Sequence, residues 1–193
     1  MNIPNLLTLF RILLVPILVI VFFLPYTWSF YAAALIFIIA SITDFFDGFL
    51  ARKLEQQTSF GAVCDPVADK LIISIVLILL VAEYKTIFFT LPAIIIVGRE
   101  IVVSGLREWM SEIGKRTNVS VSLLGKIKTV FQMVSIIILL YGTPEHFNLL
   151  VTIGFVFLYI SVFLTLWSMV LYIKAAWPHL WSSSDELVLD NDR

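Results

Sequence analysis

A single cysteine, Cys64, stands in the whole chain, which excludes an internal disulfide and matches no thiolate spacing for zinc. Histidine is nearly as scarce: His146 and His179 are too isolated for a metal set or a nucleophilic triad and read as surface residues. Charge is sparse as well, at 14% of 193 residues against 60% hydrophobic, and the mean hydropathy of +1.00 lies outside the range of soluble globular domains. No cationic excess exists, since 13 Lys and Arg meet 14 Asp and Glu for a net charge of −1. With no basic stripe of interleaved aromatics either, nucleic acid is not expected as a partner. The chain also lacks an internal repeat, direct or inverted, which argues against an alternating-access transporter that would use membrane carboxylates as ion sites.

What is present is a series of long apolar runs. At about 20 residues per crossing, they predict an all-α integral membrane protein of six transmembrane helices, and the unbroken pattern excludes a barrel. The expected spans are Leu6 to Leu24, Trp28 to Leu50, Pro66 to Ala82, Ile87 to Met110, Leu123 to Tyr141 and Phe147 to Lys174. Pro16 and Pro92 fall inside spans, where neighbouring helices can satisfy the freed carbonyls, so kinks rather than breaks are expected. The first run resembles a secretory signal, with Arg11, the stretch Ile12 to Leu24 and small residues at Ala32 to Ala34. The region before Arg11 is already apolar and has no lysine, so the first helix is expected to stay. Residues 1–181 form the membrane domain on this reading, and the polar, acidic segment 182–193 a disordered tail.

Six spans put both termini on one side. Arg11, Arg52, Lys53, Lys70, Arg107, Lys115, Arg116, Lys126, Lys128, Lys174 and Arg193 fall on or near that side, leaving Lys85 opposite and Arg99 at intermediate depth. Lys/Arg bias then makes it cytoplasmic. Trp28, Trp109, Trp177 and Trp181 lie near span ends, as interfacial belts require. Asn118-Val119-Ser120 matches a glycosylation acceptor by chance, given its cytoplasmic placement.

Against this background, the segment around residues 44–69 concentrates acid. Asp44 and Asp47, three apart on a helix, converge, and Gly48 and Ala51 continue their stripe. Asp65 and Asp69, four apart, converge likewise, and Asp65 before Pro66 fits a helix start, with aspartate as cap and proline first. Four carboxylates crowded at a membrane surface repel one another and lose hydration, so a positive partner is required. Oxygen-only ligands favour hard divalent cations, Mg²⁺ or Mn²⁺, and four suffice for a two-metal site suited to phosphoryl transfer. Arg52 adds a fork for phosphate oxygens. Gly48 and Ala51 either admit a ligand to the backbone or serve tight helix packing. Cys64 reads as packing.

The full array from Asp44 to Asp69 is D-x2-D-G-x2-A-R-x8-G-x3-D-x3-D without departure, and it resembles the signature of the CDP-alcohol phosphotransferase family. The resemblance implies that Asp44, Asp47, Asp65 and Asp69 hold two divalent cations, and that the first three also frame the cytidine diphosphate. It implies further that Asp69 is the base and that Gly48, Ala51, Arg52 and Gly61 line the nucleotide pocket. "NIPNLLTLFR" at 2–11, "DPVADK" at 65–70, "GREIVVSGLRE" at 98–108 and "GKIKT" at 125–129 look like the bacterial branch that joins CDP-diacylglycerol to glycerol 3-phosphate. A homodimer is implied too. Other acceptors, such as phosphatidylglycerol or an inositol phosphate, remain alternatives within the family.

An anionic acceptor needs cations deep in the site. Arg107 and Lys126 are the expected holders of its phosphate, with Arg99 and Lys70 beside them. For Arg99, a buried pair with Glu100 is the alternative to a ligand role. Lys128, Lys115 and Arg116 read as topology anchors or lipid-headgroup contacts.

Overall fold

The computed structural model describes the backbone at residues 3–53, 59–112, 123–142 and 149–190, and side chains at 5–44, 64, 67–112, 127–142, 149–174 and 177. Six helices follow in chain order: α1 Ile3–Phe22, α2 Ser29–Lys53, α3 Ser59–Tyr84, α4 Ile87–Glu112, α5 Leu123–Tyr141 and α6 Leu149–Asp190. Among the described residues no strand occurs. Asn5–Phe22, Ile87–Glu112 and Leu149–Lys174 are long and apolar enough to cross a membrane, and Ser29–Asp44 and Ile127–Tyr141 are shorter apolar helices. The chain is thus a multi-pass membrane protein by length and composition.

The helices lie where the apolar runs predict, with two differences. α3 begins at Ser59, so Asp65 is not its cap and Pro66 is not its first residue: both lie inside the helix. Thr58 and Ser59 are themselves residues that favour a helix start, and a proline in a membrane helix is tolerated where neighbours take up the freed carbonyl. α6 continues to Asp190, through most of the segment expected to be a disordered tail; no glycine or proline follows Pro178 to stop it. α1 and α4 run unbroken through Pro16 and Pro92.

α3 packs against α1, α2, α4 and α5, while α6 packs against α4 and α5. Leu18, Phe37, Val76, Leu77, Phe89 and Leu158 form the centre of the buried core. The outward faces carry large apolar side chains such as Ile20, Ile78, Ile94 and Phe163, each more than half exposed, which suits a lipid solvent. In lipid, apolar burial gives helices little reason to associate, so close van der Waals packing and polar contacts must hold them. The α5–α6 pair shows both. A Cβ placed on Gly154 would come within 2.9 Å of Ile138 and Leu139, and Ser135 Oγ donates to the Gly154 carbonyl at 2.8 Å.

Short connections alternate the helix directions, and the two ends of the bundle differ. At one end, Tyr84 shares its hydroxyl proton between the carbonyls of Leu139 (3.0 Å) and Gly142 (2.8 Å), and its ring stacks on Phe89. One of the orphan carbonyls that close α5, that of Leu139, is thereby satisfied. Beside it, Lys85 takes a positive φ of 49° in the two-residue turn from α3 to α4. The opposite end collects the late residues of α2, α4 and α6 and the early residues of α1, α3 and α5. That end carries the charge.

Candidate active site

Arg11 lies on α1 and Asp44 on α2, two helices that pack along each other. The Arg11 guanidinium, only 1% exposed, donates to Asp44 Oδ1 and forms an ion pair with it. Asp69, on α3, is half-buried, and the charges that act on it include Asp44, Arg11, Glu100 and Lys70. Asp44 and Asp69 thus lie on two helices that pack against each other, within electrostatic reach of one another, and Asp44 keeps 35% of its side chain exposed.

Lys70 turns to α4, where its Nζ donates to Ser104 Oγ at 2.6 Å, and Ser104 in turn donates to the Glu100 carbonyl at 2.6 Å. The neighbour of the proposed base is thus fixed by a hydroxyl rather than by a carboxylate. Arg99 is 5% exposed and pairs with Glu100 through NH1. Its Nε and NH2 are buried without a hydrogen-bond partner. Leaving two N–H groups of a buried cation unmet is costly, so Arg99 fulfils the pairing alternative and still presents donors for an anion. Arg107 does not join Asp69: its NH2 donates to Tyr172 Oη on α6 at 2.8 Å, with the guanidinium 5.0 Å from the ring centre.

Lys128 departs from the headgroup contact, one of the two roles expected of it. It is 8% exposed, on the same α5 face as the buried Gln132 and Ser135, where it cannot lie along lipid headgroups. Asp47, Gly48, Ala51, Arg52, Gly61, Asp65 and Lys126 have side chains outside the described residues, as do His146, His179, Lys115, Arg116 and Asn118. By backbone register, Asp47 sits one turn beyond Asp44 on α2, and Asp65 one turn before Asp69 on α3.

The donor chemistry tests whether divalent cations suit this place. Asp44 and Asp69 supply carboxylate oxygens only, with no imidazole or thiolate among the described neighbours, and that set fits Mg²⁺ or Mn²⁺. Among the described residues no group of three or more ligating side chains forms, so these residues do not by themselves supply a full ligand set. Sequence reasoning overlooked Arg11, Ser104 and Tyr172 as members of this region. A lone cation inside the first apolar run was the available signal for Arg11.

Fold and site together define a helical membrane protein with aspartates on two packed helices and buried cations beside them at one end of its bundle. The sequence matches the family described as CDP-alcohol phosphatidyltransferase over residues 1–167. It is 52% identical over 181 residues, 93% of this chain and 92% of the other, to a CDP-diacylglycerol–glycerol-3-phosphate 3-phosphatidyltransferase of Pseudomonas fluorescens. Proteins of the same name from Shigella flexneri serotype 5b (51% over 176 residues, 91% and 94% of the two chains) and Yersinia enterocolitica (51% over 180 residues, 93% and 97%) are similar to it as well. The chain belongs to the CDP-alcohol phosphatidyltransferase family.

Proposed function

We infer that this protein transfers the phosphatidyl group of CDP-diacylglycerol to the hydroxyl of glycerol 3-phosphate, giving phosphatidylglycerophosphate and CMP. The packing of α2 against α3, the two helices that carry the four aspartates, at the charged end of the bundle supports this reading, and half-identity along nearly the whole chain to transferases of that name supports the acceptor.

Asp69 accepts the proton of the acceptor hydroxyl. The hydroxyl oxygen forms a bond to the phosphorus nearer the diacylglycerol, and the bond from that phosphorus to the bridging oxygen breaks, so CMP leaves with the electron pair. Asp44, Asp47, Asp65 and Asp69 would hold two divalent cations, Mg²⁺ or Mn²⁺, which supply charge stabilisation to the pyrophosphate when bound. Gly48, Ala51, Arg52 and Gly61 would line the cytidine pocket. Arg99, Arg107, Lys126 and Lys70 remain the candidates for the acceptor phosphate; the unmet N–H groups of Arg99 favour it over Arg107, which is engaged by Tyr172.

All six helices cross the membrane on this reading, with the charged end and both termini in the cytoplasm, and residues 1–181 form the membrane domain of a homodimer. Incubating purified protein with CDP-diacylglycerol and a panel of alcohols, then weighing the lipid product by mass spectrometry, tests the assignment. A product mass matching phosphatidylglycerophosphate is expected; release of CMP only with another acceptor would overturn it.

A further inference from the structure

Arg11 heads the fully buried side chains by volume, yet it is a cation on a helix that is otherwise uncharged. Packing does not require it. α1 already meets the core through Leu14, Val15 and Leu18, and an apolar side chain of similar size usually packs at least as well as a buried ion pair. A guanidinium kept dry at that cost points to an electrostatic task, and its contact states which one: it occupies Oδ1 of Asp44, a carboxylate of the cluster described above.

We propose that Arg11 is a positioning residue that serves as resident counter-ion to the carboxylate cluster, holding Asp44 while no divalent cation is bound and competing with an incoming cation for the same oxygen. The inference rests on the metal reading given under Proposed function. One positive charge beside the site lowers the affinity of a second, so the empty cluster binds Mg²⁺ or Mn²⁺ weakly. A substrate pyrophosphate restores negative charge, and cation and nucleotide then load together.

Mn²⁺ binding to the full-length, detergent-solubilised protein, followed by the electron paramagnetic resonance signal of free Mn²⁺ without lipid substrate, provides the test. Arg11→Met should bind Mn²⁺ at least about tenfold tighter than the wild type, which corresponds to roughly 1.4 kcal/mol. Arg11→Lys, which keeps the charge, should stay close to wild type. A role confined to helix packing would lower thermal stability and leave Mn²⁺ affinity unchanged or weaker in Arg11→Met, and that result overturns the proposal. Should Arg11→Met not fold, an Mn²⁺-loaded structure of the wild type decides: Arg11 parted from Asp44 Oδ1 supports competition, and an intact pair refutes it. Failure of both the wild type and Arg11→Met to bind Mn²⁺, even with CDP-diacylglycerol present, removes the metal reading and this proposal together, whereas equal binding by all three proteins removes only the role of Arg11.

Discussion

At the scale of single residues, the chemistry turns on which carboxylate is free to take a proton. Asp44 is engaged by Arg11, and Lys70, next to Asp69, is drawn away to Ser104. Asp69 is left without a dedicated ion-pair partner among the described side chains, which suits a base. Asp69→Asn should lower CMP release by about 10²- to 10⁴-fold, the range for loss of general base catalysis, with the protein still eluting as a folded species. Turnover at the wild-type level in that variant would remove Asp69 from the role. EDTA should silence the enzyme until Mg²⁺ or Mn²⁺ is returned, and activity that persists in the chelated protein would contradict the cation requirement. For the acceptor, a charge-assisted hydrogen bond contributes about 1.5–3 kcal/mol. Arg99→Gln and Lys126→Ala should each raise KM for glycerol 3-phosphate by roughly 10-fold or more while leaving that for CDP-diacylglycerol near its original value. Unchanged KM for glycerol 3-phosphate in steady-state assays would dismiss the residue concerned.

Helices are held together here by close approach, and the α5–α6 pair depends on it most. Gly154 faces Ile138 Cγ2 and the branch carbon of Leu139, with a Cβ due at 2.9 Å from each; neither is the loose end of a flexible side chain. Gly154→Ala should therefore cost about 1–3 kcal/mol through overpacking, read as an earlier midpoint in thermal unfolding in detergent. Gly98, by contrast, has open space where its Cβ would go, and Gly98→Ala should leave the midpoint unlowered in the same measurement. Periodicity and apolar length made the elements legible: α5 occupies the expected Leu123 to Tyr141, and α4 begins at the expected Ile87. α3 was misread at its start because Asp-Pro looks like a cap and first residue when seen alone, whereas the helix had already begun at Ser59. In the site, the aspartate spacing announced Asp44 and Asp69. Arg11 went unrecognised because a cation near the end of an apolar run serves equally as a topology marker, and only the packing of α1 on α2 and α3 shows that it points inward. Lys128 was hidden for the same reason. Nothing in the local sequence distinguishes a lysine that snorkels to headgroups from one enclosed between helices.

For the molecule as a whole, the division into a charged end and an aromatic end implies an orientation in the membrane. Tyr84, Phe89 and Phe155 cluster at the end that carries the α3–α4 turn, where Lys85 is the basic residue. Arg11, Arg99, Arg107 and Lys128 lie toward the other end, and charge asymmetry of this kind supports the proposed cytoplasmic placement of that end. The substrates demand the same arrangement, since a nucleotide and glycerol 3-phosphate are water-soluble groups that must meet a lipid phosphate at the inner surface. Because Cys64 is the one native cysteine, the orientation is open to direct measurement. In a Cys64→Ser background, Lys85→Cys should react with a membrane-impermeant maleimide added outside spheroplasts, whereas Asn118→Cys should react only after the membrane is opened. Labelling in the reverse order would place the carboxylates outside, where CMP and glycerol 3-phosphate are not handled, and the assigned reaction would then require another location for its site.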